Sequence, residues 1–181
     1  MTPPVAILLV LLVITAAIFD IRSRRIPNWL TLTGIILGFA LNAILQYPYP
    51  LTGVKHSGVG LLFAFGIYFV LYLIHAMGAG DVKLMAAIGA IIANPANWFL
   101  LFIVTALIGG LFALTLLVAK GRLRKTFWNV AFMLNELGHA RAPYMSREEL
   151  DVKSPKAVTL PHGFTIAVGC LIFVAGSLFV K

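Results

Sequence analysis

Long apolar runs separated by short polar connections make up most of the chain. Six runs follow one another, and each is bounded by charged residues, proline, glycine or asparagine, where helices tend to end. The runs cover residues 4–19, 29–46, 57–77, 82–93, 98–119 and 157–180. Because about 20 apolar residues cross a bilayer as a helix, this pattern predicts an all-α polytopic membrane protein with a bundle of about six transmembrane helices.

Composition supports this interpretation and excludes several others. Hydrophobic residues form 61% of the chain and charged residues only 11%, which is outside the usual range of soluble domains. Six spans leave little room for a soluble domain, so residues 1–181 are expected to form one integral membrane domain. The net charge of +8 falls in the connections between runs, so no nucleic-acid partner is expected. Cys170 stands alone, which excludes an internal disulfide and a paired-cysteine zinc site.

The basic residues predict how the chain is oriented. If the N-terminus lies outside, twelve lysines and arginines fall in inward-facing connections and two outside, as expected for a multi-pass inner-membrane protein. The inward group is Arg22, Arg24, Arg25, Lys83, Lys120, Arg122, Arg124, Lys125, Arg141, Arg147, Lys153 and Lys156, and the outward pair is Lys55 and Lys181. Both termini are then expected outside. Three arginines follow the first run and none precedes it, which predicts a retained span instead of a secretory signal.

Two carboxylates carry the candidate chemistry. Of six acidic residues, Asp20 ends the first run and Asp81 precedes the fourth, and a carboxylate beside a membrane span is a functional hypothesis by default. Two carboxyls held a few ångströms apart share a proton, so that one activates water while the other protonates a peptide carbonyl. The alternative is that Asp20 caps its helix or pairs with Arg22 or Arg24, and that Asp81 pairs with Lys83.

The fourth run is too short to cross a bilayer. Its twelve residues, 82–93, rise only about 18 Å as a helix, so Asp81 is expected below the inner surface beside a pocket containing water. Gly78 and Gly80 are expected to support the catalytic loop through a backbone conformation or a close contact that a β-carbon would disturb. Lys83 is expected to act as an electrostatic neighbour that favours an ionised carboxyl.

The polar segment 120–156 and the glycines inside the runs receive structural interpretations. The segment is predicted to be an amphipathic helix on the inner leaflet, or else a basic connector that sets topology. Its apolar positions at helical spacing are Phe127, Trp128, Ala131, Leu134 and Leu137. The glycines of the last run, Gly163 among them, are assigned to helix packing without chemistry.

Three short motifs together resemble one known family. Residues 78–84, GAGDVKL, resemble the GxGD signature of intramembrane aspartyl proteases. An aspartate that ends the first span at Asp20, followed by the Ile-Pro-Asn of residues 26–28, is similar to the type IV prepilin peptidases. Residues 161–163 resemble the Pro-aromatic-Gly of the last span in that family, with His162 as a departure. The resemblance covers all spans in order and is closest to the short TadV- and CpaA-like form.

This resemblance implies an activity, a substrate and partners. Asp20 and Asp81 are the implied catalytic residues of an intramembrane aspartyl endopeptidase, a hydrolase that needs neither a cofactor nor a metal. The implied substrate is a type IV prepilin or pseudopilin helix, whose short basic leader is cleaved at the cytoplasmic membrane face. Membrane lipid and the pilus-assembly machinery are the other implied partners. The methyltransferase region of the larger family members is missing from this sequence, which leaves a second, N-methylating activity open.

Two other functions are compatible with carboxylates in a membrane. A small proton-coupled transporter would also use them, although such proteins usually contain repeated halves and no internal repeat is found here. A membrane metalloprotease could recruit His75 and His162 beside the aspartates, although the sequence contains no HExxH motif.

Overall fold

The structure is a computed structural model that describes residues 1–74, 77–119, 121, 128 and 162–179. The helices of this part are α1 (Pro3–Ser23), α2 (Asn28–Leu45), α3 (Pro50–Leu73), α4 (Ala79–Ile92), α5 (Pro95–Ala119) and α6 (His162–Phe179). Four of them, α1, α2, α3 and α5, are long and apolar enough to cross a membrane, and α6 is a shorter apolar helix. The prediction of an all-α polytopic membrane protein is confirmed.

Two predicted connections are wrong because the helices are longer than the apolar runs. The first helix continues through Asp20 to Ser23 and stops at Arg24, whose φ of 49° is left-handed. The third helix begins at Pro50 and not at residue 57, so His56 lies inside it. A proline suits the first turn of a helix, where its missing N–H is not needed. Apart from Gly121 and Trp128, the predicted amphipathic segment 120–156 lies outside the described residues.

The short helix α4 is the centre of the bundle. Residues 84–91 are all buried, and α4 contacts the other five described helices. Its closest neighbour is α3, against which Gly89 packs on Gly60. A β-carbon added at either glycine would run into the carbonyl group of the other, so two small residues allow the two backbones to approach. A helix enclosed in this way is held by packing on every side.

Asn42 of α2 contacts the C-terminal end of the short helix α4. The last carbonyls of a helix lack partners within it, and apolar surroundings offer no water to replace them. The Asn42 Nδ2 atom lies 3.1 Å from the Ala90 oxygen and 3.1 Å from the Ile91 oxygen. It also lies 3.0 Å from Ser57 Oγ of α3. One buried amide therefore joins three helices where α4 ends.

An aromatic layer joins α5 to this centre. The Trp98 side chain is fully buried, and its Nε1 donates a hydrogen bond of 3.2 Å to the Met85 carbonyl of α4. The rings of Tyr68 and Phe102 lie 6.0 Å and 5.7 Å from the Trp98 ring, centroid to centroid. Since a buried indole N–H needs an acceptor, this contact fixes the height of α5 against α4.

Candidate functional site

Four helix ends meet at the end of the bundle opposite Asn42. They are the last turn of α1 and the first turns of α2, α4 and α6. The Gly163 backbone N–H of α6 donates to Asp20 Oδ2 of α1 over 2.8 Å. On the outer side of the same region, Lys83 Nζ of α4 donates to Asn28 Oδ1 of α2 over 2.9 Å. The two acidic residues singled out from the sequence both belong to this cluster of helix ends.

Asp81 is held by the beginning of its own helix. It occupies the third position of α4, and its Oδ2 accepts a hydrogen bond of 3.3 Å from the Gly78 backbone N–H just before the helix. An acidic side chain that reaches back to the N-cap satisfies an amide without a helical partner, and the positive end of the helix dipole stabilises its charge. Although it carries a carboxyl, Asp81 is only 8% exposed.

Asp20 is held by a helix distant in sequence. It lies in the last turn of α1, where the helix dipole disfavours a negative charge, and it is only 7% exposed. Gly163, the second residue of α6, supplies the amide that its Oδ2 accepts. The unpaired N–H groups of a helix N-terminus stabilise an anion, so the start of α6 supplies the stabilisation that α1 cannot.

The structure brings the two predicted aspartates together. Asp81 lies within electrostatic range of Asp20 and of the half-buried imidazole of His162. Two buried carboxyls from helices separated by about sixty residues of chain thus share one region, with a histidine beside them. Such a pair can share a proton, which is the arrangement required for activation of water by two carboxyls.

Lys83 is hydrogen-bonded to a neighbouring helix, and its role as an electrostatic neighbour of the carboxyls stays a prediction. Its side chain is exposed, and its Nζ donates to Asn28 Oδ1 instead of pairing with Asp81. The alternative in which Asp81 and Lys83 form a simple interfacial ion pair is therefore wrong. Asn28 belongs to the Ile-Pro-Asn motif, so this hydrogen bond joins two motifs that are far apart in the sequence and ties the start of α4 to the start of α2.

The prediction of a special backbone at the GxGD glycines is also wrong. Gly78 has ordinary extended backbone, with φ −79° and ψ 152°, and Gly80 lies inside α4. A β-carbon at Gly78 would come no nearer than 3.4 Å to Asp81 Oδ2, and one at Gly80 no nearer than 3.5 Å to the Ile26 side chain. Both distances are ordinary van der Waals contacts.

The glycine that lies tightly against a carboxylate is Gly163, for which the sequence pattern predicts helix packing alone. A β-carbon there would lie 2.9 Å from Asp20 Cβ and 3.0 Å from Asp20 Oδ2. That assignment leaves out one contact, because the neighbour of Gly163 is a carboxylate as well as another helix. The signal that could have identified it is the Pro-His-Gly motif of residues 161–163.

The described residues contain no group of three or more His, Cys, Asp and Glu side chains that could hold a metal ion. Of the two histidines considered for a metalloprotease, His162 lies beside the aspartates, and His75 lies outside the described residues.

Comparisons with known proteins agree on one family. The sequence model of the type IV leader peptidase family matches residues 7–114. The chain is 32% identical over 78 residues to the preflagellin peptidase of Methanocaldococcus jannaschii, a match that covers 42% of this chain and 33% of that protein. It is 38% identical over 87 residues to the prepilin leader peptidase/N-methyltransferase of Klebsiella pneumoniae, covering 46% of this chain and 38% of that protein. The matched part thus spans 33% of the length of one relative and 38% of the other. No solved structure matches the chain.

Proposed function

Because this chain belongs to the type IV leader peptidase family, we propose that it is a membrane endopeptidase that removes the short basic leader from prepilin or pseudopilin precursors. Asp20 and Asp81 are its catalytic residues, and the chemistry is that of an aspartyl protease. The relatives whose names include a prepilin or a preflagellin substrate support this substrate class.

One observation carries the proposal. Asp20 and Asp81 come from different helices, both are buried, and their charges interact at one end of the bundle. Burying two carboxyls is costly, and neither is neutralised by a salt bridge to Lys83. A protein that needed only interfacial charges for topology would gain nothing from placing both of them in the same buried region, whereas a hydrolase that shares one proton between two carboxyls requires this arrangement.

The proposed reaction needs only water and the two carboxyls. The ionised carboxylate takes a proton from water as the water oxygen bonds to the scissile carbonyl carbon, and the protonated carboxyl gives its proton to the carbonyl oxygen. When the C–N bond breaks, the first carboxyl gives its proton to the leaving nitrogen and the second recovers one from the diol. Both carboxyls return to their starting states, without a covalent intermediate.

The position of the site suits a substrate of this kind. A pilin precursor combines a basic leader with an apolar helix, so the helix can lie in the bilayer while the scissile bond reaches the interface. The helix ends that surround Asp20 and Asp81 form one end of the bundle, and the distribution of basic residues predicts that this end faces the cytoplasm. Cleavage would then occur at the cytoplasmic membrane face.

The deciding experiment is processing of a candidate prepilin by membranes that contain the full-length chain. We expect the precursor to be shortened by its leader, with no loss of activity when a divalent-metal chelator is added. Asp20→Asn and Asp81→Asn should each insert normally and fail to process. Loss of cleavage on chelation would support the metalloprotease alternative, and full processing by either variant would reject the two-carboxyl mechanism.

A further inference from the structure

The contact between Gly163 and Asp20 joins α6 to α1 through two residues that are 143 positions apart in the sequence. It has two components. The Gly163 amide donates to Asp20 Oδ2 over 2.8 Å, and the missing side chain of Gly163 leaves space that the Asp20 carboxyl occupies. Neither component depends on the GxGD motif or on Asp81.

We propose that Gly163 is a positioning residue for the cleavage reaction, because its amide and its lack of a β-carbon together fix the orientation of the Asp20 carboxyl. The inference deepens the proposed function and rests on it. Gly163 itself contacts no reacting atom in this scheme. It acts through Asp20, whose Oδ2 it engages so that Oδ1 is the oxygen left to take part in proton transfer.

The setting of Asp20 explains why a positioning residue is needed. Asp20 lies in the last turn of α1, at the opposite end from the N-terminus of that helix. The N–H groups that a helix N-terminus offers are therefore out of reach within α1 itself. Asp81, by contrast, receives the Gly78 amide from its own helix start. In each case one Oδ2 atom accepts a backbone N–H at a helix N-terminus, so α6 gives Asp20 the same kind of support that α4 gives Asp81.

The steric side of the contact makes the position sensitive. A β-carbon at residue 163 would lie within 3.0 Å of Asp20 Cβ, Cγ and Oδ2, so either the carboxyl or the start of α6 would have to move. Asp20 Cβ is attached directly to the α1 backbone and cannot swing away as the end of a long side chain can. Displacements of about 1 Å in a catalytic group reduce rates on the order of a hundredfold.

Two other glycines of α6 provide matched controls. A β-carbon at Gly169 would lie 2.7 Å from the Thr105 Cα of α5, which is a clash at least as severe but away from Asp20. A β-carbon at Gly176 would meet nothing within 4 Å. The three alanine variants therefore separate damage at the carboxyl from damage to helix packing and from a general effect of alanine in this helix.

The kinetic test compares Gly163→Ala, Gly169→Ala and Gly176→Ala with the unmodified chain in prepilin cleavage, normalised to folded protein in the membrane. Gly163→Ala should lower kcat on the order of a hundredfold with KM changed by less than about twofold, since substrate binding does not involve the Asp20 orientation. Gly169→Ala should lower folded abundance while the folded fraction keeps its kcat, and Gly176→Ala should be unchanged. An unchanged kcat in Gly163→Ala, or an equal loss of kcat in Gly169→Ala, would overturn the proposal.

A second measurement does not depend on activity or on the folding of Gly163→Ala. In protein labelled with 15N-glycine, the Gly163 amide proton should resonate downfield because it is bonded to a carboxyl oxygen, and Asp20→Ala should move it upfield. The Gly169 and Gly176 amides should stay in place. If the chemical shift of the Gly163 amide proton were the same in Asp20→Ala as in the unmodified chain, the positioning contact would be overturned. If the unmodified chain did not cleave a prepilin although this shift was present, the proposed function would fail while the contact stood.

Discussion

The two carboxylates of the site are buried to the same degree but are held in different ways. Asp81 depends on contacts within a few residues of itself, because it occupies the first turn of α4 and accepts the Gly78 amide. Asp20 lies at the opposite end of its own helix and accepts an amide from Gly163, 143 residues further along the chain. One half of the site is therefore formed by local structure and the other by the docking of the last helix.

This difference determines what each half requires from the rest of the fold. The Asp81 half forms wherever α4 forms, so it depends on the packing of α4 and on the closure of its far end by Asn42. The Asp20 half forms only when α6 packs against α1, because the amide that Asp20 accepts belongs to α6. A change that loosens α6 should disable Asp20 and leave Asp81 in place.

The largest effect is expected from removing the carboxylates themselves. If Asp20 and Asp81 share one proton, Asp20→Asn and Asp81→Asn should each reduce prepilin processing to background, and the double variant should be no worse than either single one. Residues that act as a unit show this strong non-additivity. The measurement is the ratio of mature to precursor pilin at matched membrane abundance. Partial losses that multiply in the double variant would indicate independent roles.

A large effect on stability, but not on the Asp20 contact, is expected at Asn42. Asn42→Leu keeps the side-chain size but removes the donor to the Ala90 and Ile91 carbonyls, and an unsatisfied buried acceptor costs about 1–3 kcal/mol. The thermal unfolding midpoint in detergent should fall. Ser57→Ala is the matched control, because Ser57 contacts the same amide while both α4 carbonyls keep their donor, and its midpoint should fall less. If both variants lowered the unfolding midpoint equally, the loss of stability would not come from the unpaired carbonyls at the end of α4.

The contrast between the two halves also explains which features were predictable from the sequence. The pattern of apolar runs located all six described helices, since long apolar stretches must form helices in a bilayer. It misplaced the start of α3 because residues such as Lys55 and His56 are polar yet helical. Both aspartates could be found because a carboxylate beside an apolar run stands out in the sequence, whichever helix holds its side chain. The contact of Gly163 with Asp20 could not, because its partner is set by how α6 docks and not by neighbours in the chain.

A smaller effect is expected at the glycines of the GxGD motif. Gly80→Ala should retain cleavage within about threefold, because its β-carbon would lie 3.5 Å from the nearest Ile26 atom and alanine favours the helix more than glycine does. The sequence predicts a disturbing contact at these glycines, whereas in the structure the glycine that lies tightly against a carboxylate is Gly163. Cleavage by Gly80→Ala and Gly163→Ala should be compared at equal abundance. If Gly80→Ala were well folded but inactive, a β-carbon in the GxGD motif would disturb the site, as the sequence predicts.

The smallest effect is expected at Lys83, on the outer side of the Asp81 half. Lys83→Met removes the hydrogen bond to Asn28 Oδ1, and exposed polar contacts of this kind contribute little to stability, about 0–1 kcal/mol. Cleavage should fall by less than about threefold. Asn28→Ala removes the other partner of the same bond, so it should match Lys83→Met, and the double variant should add nothing further. Both variants should be assayed for cleavage at several ionic strengths. If Lys83→Met alone were strongly impaired, with Asn28→Ala normal, the lysine charge would act on the carboxylates directly and not through the start of α2.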